Sequence, residues 1–119
     1  MPINIFNTFD DPLATNGTAA NGINDMGQIV GAYFDATGMH GFLESGGMYT
    51  TLNDPSATHG TVAQGINAAG QIVGTYVNGV NASHGFLLSG GGYTTLDGPL
   101  GIGLTTAFGI NATGQIVGT

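Results

Sequence analysis

The sequence predicts an all-β protein, a propeller-like array of four-stranded antiparallel units with two full units and part of a third. Two observations carry this prediction. The motif GINxxGQIVG occurs at 22–31, 65–74 and 109–118, and the pair HGFL and YTTL follows at 40–43 and 49–52, then at 84–87 and 93–96. Repeats of about 40–45 residues with four strand-like runs are typical of propeller blades. No stretch has the 3.6-residue apolar period of a helix.

Each unit contains a first strand that we predict at 18–23, 61–66 and 105–110. An Asn-x-x-Gly turn should close it into the second strand, because Asn favours the first position of a type I turn and Gly the fourth. The residues that we assign to this structural repeat turn are Asn24, Asn67, Asn111, Gly27, Gly70 and Gly114.

The second strand is predicted at 28–33 and 71–76, the third at 40–44 and 84–88, and the fourth at 49–52 and 93–96. Glycines at 31, 74 and 118 indicate points where another backbone comes close. A diverged copy of the fourth strand is predicted at 5–9. We therefore predict one repeat domain with units at about 3–46, 47–90 and 91–119. Three units of four strands also fit a β-trefoil or a β-prism, and these alternatives stay open.

The composition excludes several classes of partner. The chain has 119 residues, no Lys or Arg, seven acidic residues and no Cys. Without basic side chains it cannot neutralise phosphates, so we expect no nucleic-acid binding. No apolar run reaches the about 20 residues of a membrane-spanning helix, and no membrane insertion is expected. Propellers need about 4–8 blades to close, so we expect self-association or further repeats of the same array.

The repeated GINxxGQIVGxY and HGFLxSGGxYTTL segments resemble the HAF-type putative extracellular repeat, over nearly the whole chain. The resemblance implies tandem, propeller-like units in a larger secreted or surface protein, although the opening residues show no signal peptide. It implies no catalytic residues. The third unit departs from the pattern because it lacks the His.

Strand alternation should place the loops at 10–18, 34–39, 53–61, 77–83 and 97–106 at one end of the units. Five of the seven acidic residues fall in these loops, and we call this the acidic end. Its candidate binding residues are Asp10, Asp11, Asp35, Asp54 and Asp97, with Tyr33 and Tyr76 beside them. A carbohydrate or protein ligand would bind here. The repeated His40 and His84 are predicted to be structural.

No cofactor is predicted, although oxygen ligands such as these aspartates would suit calcium. The alternative for Asp11 and Asp54, which precede prolines, is a turn-forming role. For function, a non-catalytic scaffold or binding module is favoured, because nearly every polar residue has a copy one repeat away. The alternative is a hydrolase-type enzyme that uses the acidic loops and the unmatched His59.

Overall fold

A computed structural model describes residues 10–79, 82–98 and 104–119, which contain ten β-strands and no helix. The predicted all-β class is therefore confirmed for this part of the chain, and none of it forms a helix able to cross a membrane. The strands are β1 (Thr18–Ile23), β2 (Ile29–Asp35), β3 (Gly38–Ser45), β4 (Met48–Leu52), β5 (Gly60–Ile66), β6 (Ile72–Val77), β7 (Ser83–Ser89), β8 (Gly92–Leu96), β9 (Ala107–Ile110) and β10 (Ile116–Gly118).

The strands form repeated antiparallel units. Unit 1 is β1 to β4, unit 2 is β5 to β8, and unit 3 contains β9 and β10. One parallel bridge, between Met39 and Gly60, pairs β3 with β5, so β1 to β8 form one eight-stranded sheet, while β9 and β10 form a separate two-stranded sheet. An equivalent bridge pairs Ser83 with Leu104. The described strands do not close into a barrel or a ring.

The Asn-x-x-Gly turns form as the sequence predicts. Gly27 N donates to Asn24 O at 3.0 Å, and the same bond recurs at 3.0 Å in units 2 and 3. Gly27 has a φ of +78°, a left-handed conformation that glycine adopts without strain. The Asn24 side chain completes the turn, because its Oδ1 accepts a hydrogen bond from Gln28 N at 3.0 Å.

A β-bulge recurs in the first strand of every unit. One extra residue is inserted at Asn21, at Gln64 and at Phe108, each directly before a glycine. A bulge re-aims the side chain that it carries. In unit 1 the Asn21 side chain reaches across to unit 2, where Nδ2 donates to Ala63 O at 3.1 Å.

The predicted close approaches at the GQIVG glycines are present. A Cβ on Gly31 would fall on the carbonyl oxygen of Ala19, and one on Gly74 would fall on that of Val62. The Phe42 and Phe86 rings cover these two glycines, and both rings are fully buried. Each complete unit therefore packs a phenylalanine of its third strand onto a glycine of its second.

The main core lies between units 1 and 2. Val30 and Leu52 of unit 1 pack in one cluster with Ala63, Ile66 and other buried residues of unit 2. Side chains that each unit could not bury alone are thus buried by stacking, as is typical of repeat proteins.

Some boundaries differ from the sequence-based expectation. The connection expected at 34–39 shrinks to a two-residue turn, because β2 continues to Asp35 and β3 begins at Gly38. The first strand of unit 3 begins at Ala107 rather than at 105. The fourth-type strand predicted at 5–9 lies outside the described residues.

Candidate functional site

His40 joins two loops at the acidic end of unit 1. Its Nε2 lies 3.1 Å from Asp35 Oδ1 and 2.8 Å from Thr37 Oγ1, and its Nδ1 lies 3.1 Å from Asn53 Oδ1. The imidazole stacks on the Tyr33 ring, with 5.0 Å between centroids. Because Tyr33 and His40 are register partners on β2 and β3, the strand pairing itself brings the rings together.

His84 repeats this arrangement in unit 2 with the polar partners exchanged. Its Nδ1 lies 2.9 Å from Asp97 Oδ1, and its Nε2 lies 3.1 Å from Asn78 Oδ1. The ring stacks on Tyr76 at 5.1 Å. Each histidine therefore has one carboxylate and one carboxamide as partners, but the carboxylate is on opposite nitrogens in the two units.

Tyr33 and Tyr76 are buried, being 3% and 4% exposed. The Tyr33 hydroxyl is 3.0 Å from Thr51 Oγ1, and the Tyr76 hydroxyl is 3.0 Å from Thr95 Oγ1. A histidine covers one face of each ring. The structure thus places these candidate binding residues within the units rather than on an open surface.

Asp35 is held as a carboxylate by its neighbours. The Thr37 hydroxyl donates to Asp35 Oδ1 at 2.6 Å, and the Thr37 backbone N–H donates to the same oxygen at 2.8 Å. These bonds, with a smaller contribution from His40, lower the pKa of the Asp35 carboxyl from its usual value despite partial burial.

Asp11 and Asp54 form equivalent turns before β1 and β5. Asp54 Oδ1 accepts from Ser56 N at 2.8 Å, and Asp54 N donates to Thr61 Oγ1 at 3.1 Å. Asp11 makes the same pair of bonds, with Leu13 N and Thr18 Oγ1. Both side chains are buried, and the described residues offer no hydrogen-bond partner to either Oδ2.

Asp54 follows β4 of unit 1, and its backbone N–H donates to Thr61 Oγ1 on β5 of unit 2. Burial, and to a smaller extent the charge of Asp54, raise the pKa of Tyr93 on β8. Tyr93 also packs against the core cluster shared by units 1 and 2. Asp54 therefore lies in the connection between units 1 and 2, where it forms a turn.

The acidic residues do not converge on a point. Within the described ranges, no group of three or more His, Asp or Glu side chains could hold a metal ion. Asp10 and Asp97 are exposed, whereas Asp11 and Asp54 are buried. His59 is also exposed, and its Nδ1 accepts a hydrogen bond from Gly79 N at 3.2 Å and lies 2.8 Å from Thr58 Oγ1.

The turn asparagines form a ladder that links the units. Asn24 Nδ2 donates to Asn67 O at 3.0 Å, across 43 residues of sequence. Asn67 Nδ2 donates in turn to Asn111 O at 3.0 Å. Each asparagine also donates to the Gln of its own turn, at 2.7 Å in unit 1 and 2.8 Å in units 2 and 3. We call this chain of bonds the asparagine ladder.

Sequence reasoning assigned these asparagines to turns and missed their contact with the next unit. The signal was the identical spacing of Asn and Gln in all three copies, since a turn alone does not require the Gln. Glycines also lie where the backbones of neighbouring units come close. A Cβ on Gly22 would lie 3.0 Å from Gln64 O, and one on Gly65 would lie 3.1 Å from Phe108 O.

Comparison with protein-family models, with curated proteins and with solved structures found no match to this chain. The resemblance to the HAF-type repeats therefore stays a prediction from the sequence pattern.

Proposed function

We propose that this chain is a non-catalytic scaffold of tandem, propeller-like β-units, and that any ligand contacts lie on the loops of the acidic end. One observation carries the proposal. The contact between units 1 and 2 and the contact between units 2 and 3 use the same atoms, the asparagine amide and the carbonyl oxygen one repeat later. A junction built identically at each step is what a stacked array requires.

The histidine networks support a scaffold role. His40 and His84 contact loop residues of their own units and stack on buried tyrosines. These contacts fix the turn after the second strand to the segment after the fourth strand. The loops of the acidic end are thereby held in place, as a binding module requires of its loops.

The resemblance to HAF-type repeats extends the proposal to a secreted or surface protein that contains such units. Buried side chains of units 1 and 2 share one core although a single parallel bridge joins their strands into one sheet, and this packing between units supports the propeller-like arrangement.

A matched pair of glycine substitutions tests whether stacking of units holds the chain together. A Cβ on Gly65 would lie 3.1 Å from Phe108 O and 3.2 Å from Gly109 Cα, both in the next unit. At the equivalent Gly109, a Cβ would meet only Val117 Cγ2 of its own unit, at 3.4 Å. We expect Gly65→Val to destabilise the protein by about 1–3 kcal/mol through overpacking.

Gly109→Val is the control, because it makes the same chemical change where space is open. We expect it to leave the free energy of unfolding nearly unchanged. The measurement is urea unfolding at low protein concentration. Equal destabilisation by the two variants would show that close contact between units does not support the fold, and the scaffold proposal would be abandoned.

A further inference from the structure

The chain contains three Asn-Gly dipeptides, at 16–17, 21–22 and 78–79. Asparagine is among the chemically labile residues. In an Asn-Gly pair the backbone nitrogen of the glycine can attack the side-chain carbonyl carbon of the asparagine, because glycine has no Cβ to hinder the approach. The reaction needs an asparagine side chain that is free to turn and a glycine N–H that is not held in a hydrogen bond. The structure distinguishes the three pairs on both points.

Asn16 and Gly17 meet both conditions. Both residues are exposed, in the loop before β1. Within the described residues, no hydrogen bond engages the Asn16 side chain or the Gly17 N–H. A Cβ on Gly17 would meet nothing within 4 Å, so the space beside the backbone is open to the approaching side chain.

The backbone on either side of this pair is anchored to β2. Thr15 N and Asn16 N both donate to Phe34 O, at 3.0 and 2.9 Å, and Phe34 N donates to Gly17 O at 2.9 Å. None of these bonds involves the Gly17 N–H. The loop is therefore held in place while the attacking nitrogen stays available.

Asn78 and Gly79 are held by side chains instead. Gly79 N donates to Thr58 Oγ1 at 3.1 Å and to His59 Nδ1 at 3.2 Å. Asn78 Oδ1 lies 3.1 Å from His84 Nε2, which restrains the amide. Before Gly79 N could attack, both of its hydrogen bonds would have to break, and breaking them costs free energy.

Asn21 and Gly22 are held within the sheet. Gly22 pairs with Val30 of β2, and Asn21 Nδ2 donates to Ala63 O of unit 2 at 3.1 Å. A Cβ on Gly22 would lie 3.0 Å from Gln64 O, so the backbone of unit 2 occupies the space beside this glycine. The Asn21 side chain is therefore restrained, and the approach to its glycine is crowded.

We propose that Asn16 is a site of spontaneous deamidation, and that the folded structure directs the reaction to this one of the three pairs. Hydroxide removes the proton from Gly17 N, and this nitrogen forms a bond to Asn16 Cγ. The Cγ–Nδ2 bond breaks, and the amide nitrogen takes up a proton from water and leaves as ammonia, which restores the hydroxide. Water then opens the resulting cyclic imide at either carbonyl, so position 16 becomes an aspartyl or an isoaspartyl residue.

The product changes the acidic end in two ways. It adds a carboxylate to loops that already contain five of the seven acidic residues, in a chain without Lys or Arg to compensate the charge. The isoaspartyl form also routes the main chain through the former side chain, which inserts a methylene between the two anchors on Phe34. Because the spacing of these anchors changes, we expect the Phe34 amide to exchange with solvent faster in this form.

Incubation of the folded chain at mildly alkaline pH tests the proposal. Chymotryptic digestion and fragmentation mass spectrometry would measure conversion at each pair as a mass gain of about one dalton. We expect Asn16 to be converted at least about tenfold faster than Asn78, because the two bonds on Gly79 N must break first. Asn21 should also be slow. In the same chain unfolded in urea, the three pairs should react at similar rates, since their restraints are gone.

A double variant in unit 2 tests the cause of the selectivity. Thr58→Ala with His59→Ala removes both acceptors of Gly79 N, and both side chains are exposed, so the core is untouched. Conversion at Asn78 should then rise severalfold, whereas conversion at Asn16 should stay unchanged. Asn16→Gln is the control for the assay and should show no rapid conversion at position 16. Circular dichroism would verify that each variant is folded.

Three outcomes would overturn the proposal. The first is equal conversion of the three pairs in the folded chain. The second is a folded chain in which Asn16 stays intact while the unfolded chain is converted at that position. The third is a folded double variant in which conversion at Asn78 does not rise, because the hydrogen bonds on Gly79 N would then not be what protects this pair.

Discussion

Substitution of Asn67 tests the asparagine ladder at its centre. Asn67→Asp keeps the Oδ1 that accepts from Gln71 N at 2.9 Å, but it replaces the NH₂ that donates to Asn111 O. Two oxygens then face each other at a position that is 4% exposed. The Gln71 amide can rotate to donate to the new carboxylate, so the turn keeps its bonds and the contact between units is lost.

The expected loss is that of a buried carbonyl left without its donor, about 1–3 kcal/mol. For a chain of this size, each kcal/mol lowers the melting temperature by about 4 °C, so we expect a decrease of about 4–12 °C. Burial of the new charge adds to this. The introduced carboxyl should take up a proton more readily in the folded state, so the deficit should grow as pH rises and shrink as pH falls.

Asn111→Asp is the matched control. Asn111 makes the same turn bonds, with Gln115 N and Gln115 Oε1, but it is exposed and has no acceptor in a following unit within the described chain. We expect its effect to stay within about 0.5 kcal/mol. Thermal and urea unfolding at low protein concentration would provide both values. Equal losses in the two variants would refute the reasoning, because they would assign the effect to the turn alone.

Two further predictions concern the acidic end. When neutral, His40 should carry its proton on Nε2 and His84 on Nδ1, because a carboxylate only accepts hydrogen bonds and lies on opposite nitrogens in the two units. Long-range ¹H–¹⁵N NMR spectra distinguish the tautomers, and the same tautomer in both residues would contradict the assignment. Thr37→Val should raise the pKa of Asp35 towards its usual value by removing the 2.6 Å hydroxyl bond. The stability that this bond contributes is present above the unfolded pKa of about 3.9 and is lost as pH falls through the lower folded pKa. Urea unfolding should therefore show the Thr37→Val deficit at neutral pH but not at about pH 2, and a deficit of the same size at both pH values would contradict this cause.

The strands could be predicted from sequence because their signals are local. The Asn-x-x-Gly turns and the alternating apolar runs depend on residues within a few positions, and the strands lie within one or two residues of the expected bounds in most cases. The bulge at Asn21, Gln64 and Phe108 escaped prediction. These three residues differ in chemistry, and the available signal was the glycine that directly follows each of them, since an isolated glycine inside a strand is typical of a bulge.

The site was harder to predict because its contacts are not local. Tyr33 and Tyr76 were candidates for ligand stacking, but the strand register places each of them against a histidine and buries it. The partners of His40 lie 5 and 13 residues away, on two different loops. Only the pairing of β2, β3 and β4 brings these residues together, and this pairing determines which side chains remain available to a ligand.

The stacking of units has a consequence for how the chain opens. Of the units that the structure describes, unit 2 alone has a neighbour on both faces, and it contains the fully buried Ala63, Val73 and Phe86. In stacked repeats, local stability is the sum of a unit's own bonds and its junctions. Amide exchange should therefore be slowest in β5 and β6 and fastest in β9 and β10. Among the described units, units 1 and 3 would then open first, and unit 2 would be the last to lose its structure.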